Sequence, residues 1–211
     1  MNRLRIAAGR RTRQAGQSLV EFTMIITVIM LLLLGMVEFG FIFDHHLTIE
    51  YASREGARVG AALANGGGTM GCGTGQSPNA ASVDKQIIAA VQRVITSPGS
   101  AVVPSSISEI RIYKSDAAGA QSGSSANVYV YSPGAGPVVD GRALDFVQSG
   151  ATGWSACSRD NGGTPDSLGV SLKYRYTMVT PLGAVLSFFG PGGATGVDIG
   201  DRTVMALNPG S

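Results

Sequence analysis

The sequence FTMIITVIMLLLLGMVEFGFIF, residues 22–43, decides the architecture of this chain, and Glu38 is its one charged residue. A helix of this length extends about 33 Å, which is enough to cross the hydrocarbon core of a bilayer. A secretory signal peptide is the alternative, but its apolar region is about 7–15 residues long and a small-x-small site follows it closely. The nearest such site, Ala62-Leu63-Ala64, lies too far along the chain. We therefore predict a retained membrane helix.

The basic residues before this helix predict its direction. Five arginines precede the first acidic residue of the chain, Glu21: Arg3, Arg5, Arg10, Arg11 and Arg13. Basic residues close to a membrane helix stay on the cytoplasmic side. We therefore expect a cytoplasmic N-terminus and export of everything after about Asp44.

Neither the composition nor the motifs indicate an enzyme, a metal-binding protein or a nucleic-acid-binding protein. Charged residues make up 14% of the chain, and the net charge of +2 is too small to predict nucleic acid as a partner. The sequence has no Gly-rich phosphate loop, no Cys-x-x-Cys and no His-Glu-x-x-His. His45 and His46 fall at the predicted outer membrane edge, where we interpret them as interfacial polar residues. Residues 159–166 lack the acid spacing of an EF-hand loop and predict a turn. We expect no enzymatic activity, no metal and no cofactor.

The junction RRTRQAGQSLVEF, residues 10–22, combines a basic stretch with a glycine and an acid. Gly16 lacks a side chain, so a protease can approach its carbonyl closely. The Glu21 carboxylate lies at the hydrocarbon edge, where it is costly unless paired. Cleavage after Gly16 would create an amine on Gln17, and a neighbouring copy's amine could neutralise Glu21. Cyclisation of Gln17 would remove that amine. The alternative is an uncleaved anchor in which Glu21 snorkels.

The helix is predicted to continue beyond the membrane to about Ala64, because no Pro or Gly run interrupts it. Ala52, Gly56, Gly60 and Ala64 recur at every fourth position. Such a stripe lets another helix or sheet approach closely. An alanine-rich helix with incidental glycines is the alternative. We prefer packing, since a mid-helix glycine costs roughly 1 kcal/mol relative to alanine.

These motifs resemble a known family. The junction is similar to the prepilin processing site of type IVb pilins of the Flp (tight-adherence, Tad) class, with matching positions Gly16, Gln17, Glu21 and Phe22. Many members carry Tyr in place of Phe22. TadE/TadG-like proteins often carry Glu-Phe-Gly near the outer helix end and then an R-E-G-A-R-type sequence, as in residues 38–40 and 54–58 of this chain. The resemblance covers about residues 10–64 well and 169–209 moderately.

The resemblance implies a minor pilin or pseudopilin that takes part in assembly of a tight-adherence pilus, cut by a prepilin peptidase after Gly16. Its partners would be that peptidase, other pilins and pseudopilins, assembly platform proteins and the lipid bilayer. It would be a single-pass protein of the bacterial plasma (inner) membrane. Glu21, Phe22 and Glu38 would serve assembly and charge pairing, although Glu38 could instead snorkel. The alternative is a membrane-anchored extracytoplasmic binding domain that is not incorporated in a filament.

We predict three parts: a basic cytoplasmic leader at 1–16, the transmembrane and extended helix at 17–64, and an extracytoplasmic α+β domain at 65–211. The fold class is α+β, with a second helix and a small, mostly antiparallel sheet. The domain is predicted to begin with a loop at 65–81 and a helix at 82–95 capped by Ser82. Three or four strands are predicted to follow, at about 107–114, 127–131, 169–179 and 197–207. A short apolar segment at 181–189 could be a helix and could face the membrane or a partner.

Cys72 and Cys157 both lie in the predicted exported domain. Two cysteines in an exported domain indicate one disulfide. Closing so long a loop would stabilise the domain by roughly 4–5 kcal/mol. The alternative is two unrelated thiols.

Overall fold

A computed structural model describes residues 12–63, 80–161, 164–188 and 196–207. It is an α+β protein with a long N-terminal helix, a second helix and an antiparallel sheet, which confirms the predicted fold class. The elements are α1 (Thr12–Ala62), α2 (Val83–Ile95), β1 (Ile107–Ser115), β2 (Gln121–Tyr131), β3 (Val138–Val139), β4 (Arg142–Ala143), β5 (Phe146–Ser149), β6 (Ser167–Thr177), α3 (Leu182–Phe188) and β7 (Gly196–Ala206). They form two compact units.

The described part of the first unit consists of residues 12–41 and 178–188. Large apolar side chains are exposed on every side of α1 in this unit, among them Leu19, Phe22, Met24, Ile25, Val28, Leu32, Met36 and Phe39. A helix that is apolar all round belongs in an apolar surrounding. By length and composition, α1 could span a membrane, in agreement with the predicted anchor.

Two threonines in this apolar segment satisfy their hydroxyl groups within the helix. The Thr23 hydroxyl donates to the Leu19 carbonyl at 2.7 Å, and the Thr27 hydroxyl donates to the Thr23 carbonyl at 2.7 Å. Because hydrocarbon offers no hydrogen-bonding partner, such local bonds make polar side chains compatible with a lipid surrounding.

The second unit is built on a five-stranded sheet with the order β5-β2-β1-β6-β7, in which every neighbouring pair is antiparallel. Strands β3 and β4 form a separate hairpin. Strand β6 shows the predicted alternation: Val170, Leu172, Tyr174 and Tyr176 are buried, whereas Lys173, Arg175 and Thr177 are exposed. The predicted strand at 169–179 has the right length but is shifted by two residues, since β6 runs from Ser167 to Thr177.

The C-terminal part of α1 packs into this unit through its small residues. A Cβ atom at Gly56 would lie 2.7 Å from Val91 Cγ2 of α2 and 3.4 Å from Val170 Cγ1 of β6. A Cβ atom at Gly60 would lie 2.8 Å from Ile87 Cδ1 and 3.0 Å from Leu168 Cδ2. The two glycines therefore let α1 approach both α2 and the sheet.

Polar side chains of α1 also reach the sheet. The buried Ser53 hydroxyl lies within hydrogen-bonding distance of the Asp201 carboxylate and, at 2.9 Å, of the Thr203 hydroxyl of β7. The ring of His45 lies 5.5 Å from that of Tyr174 and edge-on, at 4.9 Å, to that of Tyr176. His45 is therefore buried within the second unit, while the position of His45 and His46 at the membrane edge stays a prediction.

Helix α2 has the predicted bounds, and its apolar face, including Ile87, Val91 and Ile95, is buried. The predicted capping role of Ser82 was wrong. Ser82 occupies the N-cap position, but its side chain makes no capping hydrogen bond to the described N–H groups. A 3₁₀ turn, Ala80–Ser82, runs directly into α2 and already places Ser82 in helical backbone space, with φ −96° and ψ −10°. An N-cap serine normally needs extended backbone to reach back to the helix.

The middle of the chain contains strands that the sequence did not predict. Strand β2 begins at Gln121, before the predicted start at Asn127, because its first half carries no apolar alternation. Strand β5 has four residues and pairs with the end of β2, with Tyr131 opposite Phe146. The β3–β4 hairpin has two residues on each side. Segments this short hold too few residues to show a period.

The neighbours of Gly56 and Gly60 predict that substitution by alanine lowers the free energy of unfolding by different amounts at the two positions. Alanine gains about 1 kcal/mol of helix propensity at either site. At Gly56 the methyl group meets the short, branched side chain of Val91, so we expect Gly56→Ala to lower the free energy of unfolding by a net 1–2 kcal/mol or so. At Gly60 the contacts are the mobile ends of Ile87 and Leu168, so Gly60→Ala should cost less.

The measurement is denaturant unfolding of the full chain in detergent, followed through the buried Trp154. Equal stability of the two variants would contradict the difference in packing between Gly56 and Gly60.

Candidate functional site

The processing junction lies on an open part of α1. The helix begins at Thr12, so Gly16 and Gln17 are both helical. Apart from its chain neighbours and the backbone of the same helix, no described atom lies within 4 Å of a Cβ atom placed at Gly16. The side chains of Glu21 and Phe22 are exposed. The peptide bond between Gly16 and Gln17 is therefore not covered by a neighbouring element of the described chain.

The Glu21 carboxylate has a neutral partner in the intact chain. The side-chain amide of Gln17 donates to Glu21 Oε1 at 3.0 Å, one helical turn away. An amide compensates a carboxylate less well than a cation does. Cleavage after Gly16 would turn the backbone nitrogen of Gln17 into an amine, which is the charge that this carboxylate lacks.

Glu38 has a different environment from Glu21. Its side chain is 2% exposed, and its carboxylate accepts hydrogen bonds from the backbone N–H groups of Val179 at 3.1 Å and Thr180 at 2.9 Å. A carboxylate inside an apolar segment is costly unless such donors satisfy it. Glu38 thus ties the chain entering α3 to α1. Its predicted part in charge pairing between subunits stays a prediction.

No local sequence pattern predicts this bond. Val179 lies 141 positions after Glu38. The donors are backbone groups, which any residue except proline carries. The sequence TMVTPL, residues 177–182, belongs to the part of the tail that contributed to the resemblance, but nothing in it identifies Glu38 as its partner.

The other predicted site residues belong to the second unit. Ala52, Gly56 and Gly60 are buried against elements of the same chain, so they pack within the subunit. Ala64 and Cys72 lie outside the described residues. Cys157 is half-buried in a 3₁₀ turn, Ala156–Ser158. The disulfide between Cys72 and Cys157 stays a prediction.

A buried ion pair in the second unit escaped the sequence analysis. The Arg159 side chain is 0% exposed, and its Nη1 lies 2.7 Å from Asp84 Oδ1 at the start of α2. The guanidinium also lies over the ring of Trp154, 4.3 Å from the centroid. The sequence of residues 159–166 predicted only a turn. An arginine in the sequence carries no local signal that distinguishes a buried position from an exposed one.

Asn127 completes this polar cluster. Its amide donates to Asp84 Oδ2 and to the Trp154 carbonyl, both at 2.7 Å, and its carbonyl accepts from the Trp154 N–H at 3.0 Å. Burial raises the pKa of the nearby Tyr129 phenol, and the Asp84 carboxylate raises it further. The cluster joins α2, β2 and the segment around Trp154, and we assign it a structural role.

Among the residues that the structure describes, no three His, Cys, Asp or Glu side chains are grouped to hold a metal ion.

Breaking the buried ion pair should destabilise the domain strongly. Arg159→Met leaves the Asp84 carboxylate buried without its cation, so we expect a loss of about 3–5 kcal/mol in the free energy of unfolding. Adding Asp84→Asn removes the stranded charge and keeps an acceptor for Asn127, so the double variant should recover part of that loss. Denaturant unfolding measures both, and a double variant less stable than Arg159→Met would contradict the assignment.

Loss of the Glu38 carboxylate should release the chain before α3. Glu38→Leu removes the acceptor of two backbone N–H groups, so hydrogen exchange at Val179 and Thr180 should accelerate by about tenfold or more, corresponding to about 1.4 kcal/mol of lost protection. Mass spectrometry of the full chain in detergent gives the rates. Glu21→Leu is the matched control, because its exposed carboxylate bonds the Gln17 side chain and lies far along α1 from Val179. Unchanged exchange in Glu38→Leu would contradict the docking role of Glu38.

Comparison with known proteins finds a family model that is similar to the N-terminal helix. The family model described as TadE-like protein matches residues 16–58. The match runs from Gly16 through Glu38 and ends at Arg58, so it confirms the resemblance over this segment. Residues 169–209 lie beyond the match, and the resemblance there stays a prediction. No curated protein and no solved structure matches the chain. Residues 16–58 of this chain are therefore similar to the TadE-like family.

Proposed function

We propose that this chain is a minor pilin or pseudopilin that takes part in assembly of a tight-adherence pilus. The observation that carries the proposal is the TadE-like match, which starts at the predicted scissile residue, Gly16. An apolar helix able to span a membrane follows directly. The role is that of a structural and assembly protein rather than an enzyme.

The first step is processing by a prepilin peptidase. Water adds to the Gly16 carbonyl carbon, and the bond from that carbon to the Gln17 nitrogen breaks. The leader then ends in a carboxylate and the mature chain begins with an amine, which takes up a proton. The openness of α1 around Gly16 supports access of the peptidase to this bond.

The second step is pairing between subunits in the membrane. The new ammonium group lies four positions before Glu21, whose carboxylate is exposed. Pairing of one subunit's ammonium with the Glu21 carboxylate of a neighbour neutralises both charges at the lipid edge. Phe22 is exposed beside it and supplies apolar contact area.

The surface left for neighbouring subunits is the apolar part of α1. Gly56 and Gly60 are occupied by α2 and β6 of the same chain. Between residues 19 and 41, by contrast, large apolar side chains are exposed. We propose that assembly contacts use this segment, and that the exported domain stays on the aqueous side of the inner membrane.

A tethered binding domain that never enters a filament is the second candidate. It is favoured by an open groove of about 490 Å³ in the second unit, whose lining combines apolar side chains such as Leu47 and Val94 with the charged Glu55 and Arg93. Groove residues with an apolar character are typical of binding surfaces.

Processing is tested by coexpression with the peptidase of a tight-adherence system. We expect the membrane-extracted chain to begin at Gln17 by N-terminal sequencing, or with pyroglutamate at the same position by mass spectrometry. Gly16→Val should block cleavage, because its branched side chain obstructs the approach to the carbonyl. Gly35→Val is the matched control, since that helical glycine also has no described atom within 4 Å. A chain that still begins at Met1 or Asn2 would overturn the proposal.

The role of Glu21 separates the two candidates. Glu21→Ala should still be cleaved but should be strongly reduced in sheared pilus fractions or in pilus formation, because the neighbour's ammonium loses its partner. Normal pilus formation with Glu21→Ala would favour the tethered binding domain.

A further inference from the structure

We propose that residues 178–188 form a second membrane-contacting element, which enters the exported leaflet of the bilayer while docked on α1 through Glu38. This inference rests on α1 spanning the membrane, and it gives the first unit a second lipid contact besides α1. It is carried by the depth of Glu38, by the hydrogen bonding of the segment's backbone and by the absence of charge in its sequence.

The depth follows from positions along α1. Glu38 lies 17 positions after Glu21, which corresponds to about 26 Å of helix. The hydrocarbon core is about 30 Å thick, so with Glu21 at the cytoplasmic edge Glu38 lies about 4 Å inside the opposite edge. Tilting the helix would place Glu38 deeper still. Because the N–H groups of Val179 and Thr180 bond its carboxylate, that stretch of backbone shares its depth.

The backbone N–H groups of this stretch are hydrogen-bonded within the protein and do not need water as an acceptor. The N–H groups of Val179 and Thr180 donate to Glu38, and that of Leu182 donates to the Thr180 hydroxyl at 3.3 Å. Pro181 has no N–H group. Across residues 179–182 every backbone N–H group thus has an acceptor, and Pro181 has none to satisfy, which lowers the cost of removing this stretch from water. Helix α3 then begins, and the Val185 N–H donates to the Pro181 carbonyl at 3.1 Å.

The side chains of the segment suit lipid rather than water. No charged residue occurs in the sequence between Arg175 and Asp198, whereas charged residues make up 14% of the whole chain. Val179 is 69% exposed although it neighbours the buried Glu38 contact. Burying such a valine in hydrocarbon is favourable by roughly 1.5 kcal/mol or more. We therefore infer that lipid acyl chains contact the exposed side chain of Val179 at the depth set by Glu38.

The test uses quenching by lipids brominated on their acyl chains, which report only on fluorophores within the hydrocarbon. The full chain is reconstituted in liposomes, and each variant adds one tryptophan to the buried Trp154. Val179→Trp probes the segment, and Ala184→Trp provides a second exposed position in α3 if the first variant folds poorly. Val138→Trp is the matched control, because Val138 is similarly exposed, at 66%, but lies in β3 of the second unit.

We expect brominated lipid to remove most of the emission that Val179→Trp and Ala184→Trp add, and to leave the emission added by Val138→Trp unchanged. Met30→Trp, in the middle of the apolar segment, tests the anchor itself and should be quenched. Quenched Met30→Trp with unquenched Val179→Trp and Ala184→Trp would overturn the inference and leave this face for a protein partner, while the anchor stands. An unquenched Met30→Trp would overturn the membrane-spanning role of α1 and the inference with it.

Discussion

Helix α1 has to suit two surroundings along one backbone, and this constraint shapes the rest of the molecule. Between residues 19 and 41 its large apolar side chains are exposed on every side, as a lipid surrounding requires. From Ile42 onward the helix belongs to the second unit, where Ile49, Ala52 and Gly56 are buried. The change from an all-round apolar surface to a one-sided one falls where the helix passes from the first unit into the core of the second.

Buried charge is handled in both units by partners that are remote in sequence. In the first unit the Glu38 carboxylate takes backbone donors from Val179 and Thr180. In the second, Arg159 is held by Asp84 and lies over Trp154. In each case the cost of removing a charge from water is met by directed hydrogen bonds or an ion pair, and the same contacts specify which segments lie together.

The small residues of α1 pack within the subunit, which limits the surfaces that remain for contacts between copies. Gly56 and Gly60 allow close packing, but α2 and β6 of the same chain occupy that space. The exposed carboxylate of Glu21 and the apolar surface that begins at Leu19 remain for contacts with neighbours or lipid. In the proposed pilin, the N-terminal part of α1 would serve assembly, while its C-terminal part would carry the exported domain.

The sequence alone determined the elements whose signals are local. The apolar run with its single charge predicted the anchor, the helical period predicted α2, and the alternation of β6 predicted its buried face, because each pattern lies within one continuous segment. The Gly16–Glu21 spacing and the residues up to 58 were enough to indicate the TadE-like segment. The tertiary structure decided the partner of Glu38, the burial of Arg159 and His45, and the short strand β5. These depend on contacts between positions far apart in the chain, and no local period carries that information.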